Sequence, residues 1–266
     1  MVAGAGAESW AGAVPPGAGH GAAAWARAVW DLAAPVECGG CGRPRVRWCA
    51  DCAVTLADRP LRVRTRADVR VPVWALARHG GPPATAVTAH KDRGRHDLAE
   101  PLGAALAAGV EALREAGELA DRDVPLALVP APASPRARRR RGYDHVRRIC
   151  AAVAADLAGA EPPSPVAVAP LLEIRGRVAD AAGLGAEQRA RNLAGRVHRA
   201  RPDARVLASP GAPGSVAALL AAAAAGRVTV LLVDDVVTTG STLASCCAAL
   251  SAGGLAPHAA LCVAAA

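Results

Sequence analysis

VTVLLVDDVVTTGSTLASC, residues 228–246, places two adjacent carboxylates between an apolar segment and a hydroxyl-rich turn. The apolar run 228–233 predicts a buried strand, and residues 240–252 predict a helix. Asp234 and Asp235 then stand at the end of the strand, directly before the turn. In a parallel α/β sheet, ligands bind at this edge, beside the amino ends of helices.

The turn itself has the chemistry of a phosphate site. Its hydroxyls and free backbone N–H groups suit a phosphate, the helix dipole adds to the attraction, and Gly240 allows close approach of an anion. Two carboxylates would repel phosphate, so we expect Asp234 and Asp235 to face sugar hydroxyls or a Mg²⁺ ion held through them. The alternative is an ordinary strand followed by a capped helix, with solvated aspartates.

The rest of the chain alternates strands and helices. This order predicts an α/β fold with a mostly parallel sheet covered by helices. Residues 201–226 are rich in Pro, Gly and Ala and are predicted to be a loop or insertion. The predicted helices are 96–117, 142–159 and 185–197, and the predicted strands are 124–132, 165–175, one near 256–263 and one or two within 61–78.

The N-terminal part has a different composition. Residues 1–20 are predicted to be a disordered tail, and residues 21–35 a short amphipathic helix ended by Pro35. We expect residues 21–78 to hold this helix, a metal-binding element and short strands, and residues 79–266 to form the main domain.

Composition limits the environment and the partners. The N-terminus has no basic segment followed by a solid apolar one, and no apolar run approaches the roughly 20 residues of a membrane span, so we expect a cytoplasmic protein without membrane insertion. The formal net charge of +8 favours anionic partners, although an Arg-rich, Ala-rich composition would produce the same charge.

Four of the eight cysteines follow a metal-binding spacing. CGGCGRPRVRWCADC is C-x2-C-x7-C-x2-C, and two such pairs of thiolates complete a tetrahedral site for structural zinc, with no open coordination position. Iron is the main alternative metal, and free thiols are the alternative to a metal. The four residues are Cys38, Cys41, Cys49 and Cys52.

Residues 230–242, VLLVDDVVTTGST, resemble the fingerprint with which type I phosphoribosyltransferases bind phosphoribosyl pyrophosphate (PRPP). The resemblance implies that Asp234 and Asp235 hold the ribose hydroxyls, with Mg²⁺ accompanying PRPP. The phosphate would be bound by Thr238, Thr239, Gly240, Ser241 and Thr242. Purine-salvage members commonly have an acid where Thr238 stands, and its absence argues mildly against purine salvage.

Other segments resemble the ComF family, phosphoribosyltransferase-like proteins named for competence, over about residues 36–266. LVPAPASPRARRRRGYDHV (128–146) is similar to the family's strand and basic loop, with Arg141, Gly142 and Tyr143 matching and Asp144-His145 replacing the usual Asn-Gln. VTAHKDRGRHDLAEPLGAAL (87–106) is similar to the family's lysine segment.

The resemblance also extends to EQRARNLAG (187–195), where Arg189 and Asn192 match a family element of unknown role. Ala181 stands where the family usually has Gln. The candidates for binding pyrophosphate are Lys91, Arg140 and Arg141. An arginine guanidinium binds two phosphate oxygens at once through two N–H groups. The alternatives are a solvated basic loop or a non-specific nucleic-acid patch.

Two functions are therefore expected. The first is Mg²⁺-dependent transfer of phosphoribosyl from PRPP to an unidentified acceptor. The second is a non-catalytic module that senses PRPP or a nucleotide and acts in DNA uptake through single-stranded DNA or a competence protein. The small number of aromatic residues argues against extensive base stacking.

Overall fold

The computed structural model describes residues 36–56, 59–175, 195–200 and 204–266. Residues Glu37–Ala266 form one compact unit. The prediction of a tail over 1–20 and a helix over 21–35 lies outside the described residues, as do Ala181, Arg189 and Asn192.

A seven-stranded mixed sheet organises this unit in the order β1-β2-β9-β8-β3-β4-β7. The five central strands are parallel, and the short outer strands β1 and β7 are antiparallel to their neighbours. The predicted α/β class with a mostly parallel sheet is confirmed. The strands are β1 Leu61–Arg62, β2 Val73–Arg78, β3 Leu126–Pro130, β4 Val166–Val168, β5 Leu172–Ile174, β6 Val197–Arg199, β7 Leu207–Ala208, β8 Thr229–Val237 and β9 Ala259–Ala265.

Helices cover both faces of the sheet. A 3-10 turn at His96–Leu98 leads into the longest helix of the described ranges, and β5 pairs with β6 in a separate two-stranded sheet. The helices are α1 Ala50–Val54, α2 Gly81–Asp92, α3 Ala99–Glu115, α4 Pro135–Arg141, α5 His145–Gly159, α6 Val216–Ala224 and α7 Ser241–Ser251.

The central strands are apolar because both of their faces are buried. On one face, Leu231 and Val233 of β8 pack with the apolar sides of α3 and α5. On the other face, Val230 and Leu232 pack with α6 and α7. Strand β8 thus lies in the middle of the sheet and is packed on both faces. This packing fixes the position of the residues that follow Val233.

Three segments differ from the predictions. Residues 201–226 are not a continuous loop, because Ser215 caps helix α6 with its side chain, accepting from the amide of Ala218 at 3.1 Å. The predicted strand 165–175 is divided at Pro170 into β4 and β5, which belong to different sheets. The end of the predicted helix 185–197 is a turn that leads into β6 at Val197, and residues 185–194 lie outside the described residues.

Strands from both sides of residue 78 contribute to the seven-stranded sheet. Strand β2 pairs in parallel with β9, so it belongs to the main sheet, and the cysteine element packs on the same unit. Gly39 lies so close to Leu98 that a Cβ would be 2.4 Å from a leucine methyl.

Within the described ranges, no helix has the length and apolar character that crossing a membrane requires.

Candidate functional site

Strand β8 brings the acidic pair to the carboxyl edge of the sheet. The strand does not end at residue 233, as the sequence predicts, but continues through both aspartates to Val237. Its pairing with β9 also continues, with Asp234 opposite Cys262 and Val237 opposite Ala265. The two carboxylates are therefore held by a regular, buried strand and not by a loop.

Asp235 is buried and fully engaged. Its Oδ2 accepts from the Lys91 Nζ at 2.7 Å and lies 3.0 Å from the His145 Nε2, while its Oδ1 accepts from the amide of Val236 at 2.7 Å. The side chain of Asp235 is 5% exposed and that of Lys91 is 34% exposed. The lysine therefore reaches the carboxylate from the solvent side.

The two charges stabilise each other. Burial opposes ionisation of Asp235, but Lys91 and His145 outweigh it and hold the pKa of the carboxyl well below its usual range. Burial likewise disfavours the ammonium of Lys91, but the charge of Asp235 raises its pKa. Both groups are therefore ionised at neutral pH.

Asp234 is in a different environment. Its Oδ1 accepts from the amide of Asp235 at 2.8 Å, and the residue is half-buried. Burial and the neighbouring charge of Asp235 raise the pKa of Asp234, and Lys91 only partly offsets this. Asp234 is thus the member of the pair that gains most from a cation or a hydroxyl donor brought in by a ligand.

His145 joins the amino end of α5 to the acidic pair. Its Nε2 faces Asp235, while its buried Nδ1 has no partner within the described part of the chain. A carboxylate oxygen only accepts, so the Nε2 of His145 is the donor in this contact. The backbone oxygen of His145 lies 3.2 Å from the Nε2 of buried His90, which ties α5 to α2.

The turn after β8 packs under the β1–β2 connection. Gly240 has φ of +82°, and a Cβ there would lie 2.6 Å from the Cβ of Thr65. The amide of Ala67 donates to the oxygen of Thr239 at 2.9 Å. The glycine is therefore required by the left-handed backbone and by Thr65, in addition to any approach of an anion.

The hydroxyls of the turn stand at the start of α7. Thr239 Oγ1 and Ser241 Oγ are 2.8 Å apart, and Ser241 and Thr242 open the helix. The first amides of a helix have no acceptor within it, and that of Ser241 donates to Thr239 Oγ1 at 3.4 Å, a long hydrogen bond that a ligand oxygen can replace. Thr238 is exposed.

The basic segment after β3 is a short helix and not the predicted loop. Ser134 caps α4 by accepting from the amide of Ala137 at 3.2 Å, and Gly142 ends the helix with φ of +78°. Arg141 reaches the last residue of α2, its Nη2 lying 2.9 Å from Asp92 Oδ1, and Arg140 is 3.3 Å from the same oxygen. The three pyrophosphate candidates are thus gathered at the end of α2.

Tyr143 links the same elements. Its hydroxyl donates to the backbone oxygen of His90, and its ring meets the ring of His96 edge-on at 4.1 Å. Asp144, which departs from the family pattern, caps α5 by accepting from the amide of Arg147 at 3.2 Å. Tyr143 therefore ties the α4–α5 connection to α2, and Asp144 fixes the start of α5.

The four cysteines of the N-terminal element form a compact cluster. Their sulfur atoms all lie within 4.8 Å of one another, and those of Cys41 and Cys49 are 3.6 Å apart. A tetrahedral ion with Zn–S bonds of about 2.3 Å needs sulfurs roughly 3.8 Å apart. The cluster therefore fits a metal such as zinc, and a closed set of four thiolates is typical of a structural site.

The local electrostatics act in opposite directions on two of the four thiols. Burial opposes ionisation of Cys38, but the amides of Cys41, Cys49 and Gly40 point at its sulfur and lower its pKa to about 6. Burial and the hydrogen bonds of the other thiols raise the pKa of Cys52. Arg43 pairs with Asp51 at 2.6 Å on the outside of the cluster.

The remaining cysteines, predicted to be core residues, are buried. Burial raises the pKa of each thiol, to about 11 for Cys247. The four are Cys150, Cys246, Cys247 and Cys262.

A scan of the chain against protein-family models finds no match, and a search of the curated proteins also finds none. The function must therefore be argued from the site itself.

The structure gathers most of the predicted site residues at the carboxyl edge of the sheet. Sequence reasoning missed three contributors: His145 as a partner of Asp235, Asp92 as the partner of the arginines, and Thr65 as the neighbour of Gly240. Ser134 and Pro135 at the start of α4 and Gly142 at its end are sequence signals that could have predicted this helix.

Proposed function

We propose that this protein is a phosphoribosyltransferase with the type I fold, which binds PRPP with Mg²⁺ and transfers the phosphoribosyl group to an unidentified acceptor. In the reaction, the bond between C1 of the ribose and the pyrophosphate oxygen breaks, a bond from C1 to the acceptor forms, and pyrophosphate leaves. One observation carries the proposal: an acidic pair on β8 runs directly into a hydroxyl-rich turn at the start of α7.

Each part of PRPP has a matching group. Asp234 supplies an oxygen ligand to the ribose hydroxyls or to Mg²⁺ held through them, and a bound cation would favour the ionised carboxylate, which burial and the charge of Asp235 otherwise disfavour by raising its pKa. The N–H groups and hydroxyls of residues 238–242 suit the 5-phosphate. Lys91 and Arg141 supply positive charge for the pyrophosphate.

The role of Asp235 in this proposal is support. Because Lys91, His145 and the amide of Val236 already occupy its oxygens, Asp235 positions Lys91 and leaves the ligand mainly to Asp234. The salt bridge also lowers the negative charge of the site, which makes a polyphosphate easier to bind.

A second candidate is a module that binds PRPP or a nucleotide without turnover and signals to nucleic-acid or protein partners in DNA uptake. The observation that favours it is the engagement of Asp235, which leaves one carboxylate of the pair for the sugar.

The test is calorimetric titration of PRPP into the zinc-loaded protein, with and without Mg²⁺. We expect binding that depends on Mg²⁺, at least a tenfold loss of affinity in Asp234→Asn, and none in Asp123→Asn, an exposed aspartate away from the site. Absence of PRPP binding to the natural protein would overturn the transferase and leave the second candidate only as a nucleotide-binding module.

A pyrophosphate-release assay then separates them. Slow release from PRPP in water, abolished in Asp234→Asn, supports the transferase. Tight binding with no release above the uncatalysed rate supports the binding module.

A further inference from the structure

A pocket of about 550 Å³ opens beside the carboxyl end of β4, between α5 and the chain that leads to β7. One side is formed by the first turns of α5, and the other by residues after β4 and before β7. Four guanidinium-bearing side chains line it: Arg138, Arg147, Arg148 and Arg205.

These four arginines form no ion pair within the described residues, although two carboxylates also line the pocket. Asp144 is engaged as the cap of α5, and Glu173 pairs with Arg175 at 2.5 Å. The pocket therefore carries positive charge that its own carboxylates do not neutralise.

Two arginines elsewhere in the described ranges are neutralised by acids beside them. Arg95 pairs with Asp97, and Arg122 pairs with Glu111. Three of the four arginines that line the pocket are exposed and the fourth, Arg147, is half-buried, so water screens their mutual repulsion, and an anion bound between them would be attracted by all four.

The shape of the pocket favours a small ligand. Its volume lies within the range of small-molecule sites, roughly 300–1,000 Å³. Between the arginines the lining is apolar, with Ala151, Pro170 and Leu172, which suits an organic group attached to the anion. Arginine forks bind phosphate oxygens bidentately.

The pocket lacks what single-stranded nucleic acid needs. Tyr143 is its one aromatic residue among those the structure describes, and its ring is engaged by His96. Single-stranded nucleic acid binds through exposed aromatic faces on which successive bases stack. A small organic phosphate is therefore favoured over a polynucleotide.

We propose that this basic pocket is a second anion site, which binds the phosphate group of a small organic phosphate. It is separate from the acidic pair, because β3 lies between β8 and β4 and strands about 4.8 Å apart put their ends about 10 Å from each other. The proposal does not depend on the proposed function.

The test uses adenosine 5′-monophosphate as the probe, with adenosine as the neutral control, titrated into the full chain carrying Ser241→Asp. That substitution places a negative charge in the turn before α7 and prevents phosphate from binding there, while an acid in the first turn suits the helix. We expect the monophosphate to bind at least tenfold more tightly than adenosine.

The pocket variant Arg147→Gln/Arg205→Gln should weaken binding of the monophosphate at least tenfold, and Arg147→Lys/Arg205→Lys should recover part of the loss. The matched control, Arg59→Gln/Arg227→Gln, removes the same charge from exposed positions outside the pocket and should change affinity less than twofold.

Three outcomes would overturn the proposal. They are absence of binding by the monophosphate, equal losses in the two glutamine variants, or a twelve-residue oligothymidylate that binds about a hundredfold more tightly than the monophosphate and is lost in the pocket variant. Thermal unfolding of each variant verifies that the fold is retained.

Discussion

The cysteine cluster and the charged groups around Asp235 are both polar and largely buried, but the chain builds them differently. The four cysteines come from one short segment, residues 38–52. Asp235 instead meets Lys91 and His145, which are 144 and 90 residues away in sequence. The first cluster depends on local geometry and a metal, whereas the second depends on the sheet and helices being correctly packed.

The largest expected effect comes from removing a cysteine ligand. Cys49→Ser should abolish stoichiometric zinc and lower the melting temperature by about 10 °C or more, because a structural metal contributes many kcal/mol and each kcal/mol corresponds to about 2–4 °C in a domain of this size. Metal content by atomic emission and thermal unfolding measure the two effects.

Cys247→Ser is the control for that experiment. Cys247 is equally buried, at 5% exposure against 4% for Cys49, but lies on α7 outside the cluster. It should retain one zinc per chain. Equal metal content in the two variants would show that the cluster is not the metal site.

The next effect tests the long-range cluster. Lys91→Met should destabilise the fold by about 2 kcal/mol, less than the roughly 3–5 kcal/mol of a fully buried pair because Lys91 is one-third exposed. The double variant Lys91→Met/Asp235→Asn should recover part of this loss, since it no longer leaves a buried charge unpaired. Chemical denaturation of both variants measures the coupling.

The exposed pair on the cysteine element provides the comparison. Arg43 and Asp51 are 55% and 70% exposed, so Arg43→Met should leave the unfolding free energy unchanged. A larger loss in Arg43→Met than in Lys91→Met would contradict the assignment of Lys91–Asp235 as the structurally important pair.

The same contrast explains what the sequence could predict. The C-x2-C spacing and the run from Val228 to Thr242 carry their information locally, so the cluster and the strand–turn–helix could be predicted. The partners of Asp235 could not, because nothing near Lys91 or His145 in sequence marks them as neighbours of β8. Strand β8 extends beyond its predicted end for a related reason. Its pairing with β9 continues past the aspartates, and a hydrophobicity pattern does not reveal strand pairing.

Helix α6 was not predicted from the sequence for a different reason. The Pro and Gly residues before Ser215 dominate the composition of residues 201–226 and hide the capped alanine-rich segment that follows. A search for start signals, instead of average composition, would have found this helix and also α4.

A smaller effect is expected at the turn before α7. Gly240→Ala should cost about 2 kcal/mol, because it combines left-handed backbone strain with a contact of 2.6 Å to Thr65. Gly254→Ala, with φ of +76° and open space around it, carries the strain alone and should cost about 1 kcal/mol. Equal losses of unfolding free energy in the two variants would mean that the β1–β2 connection moves away from the new methyl group at little cost and does not fix the turn.

The smallest effect concerns the cap of α4. Ser134→Ala removes the acceptor of the Ala137 amide and should cost about 0.5–1 kcal/mol, felt mainly within the helix because its residues are not buried. Amide exchange at Arg138 and Gly142 should quicken, while exchange in β8 stays unchanged, and Ser251→Ala should alter neither. Since Arg140 and Arg141 reach Asp92 from this helix, unchanged exchange in Ser134→Ala would show that those ion pairs, and not the cap, hold α4 in place.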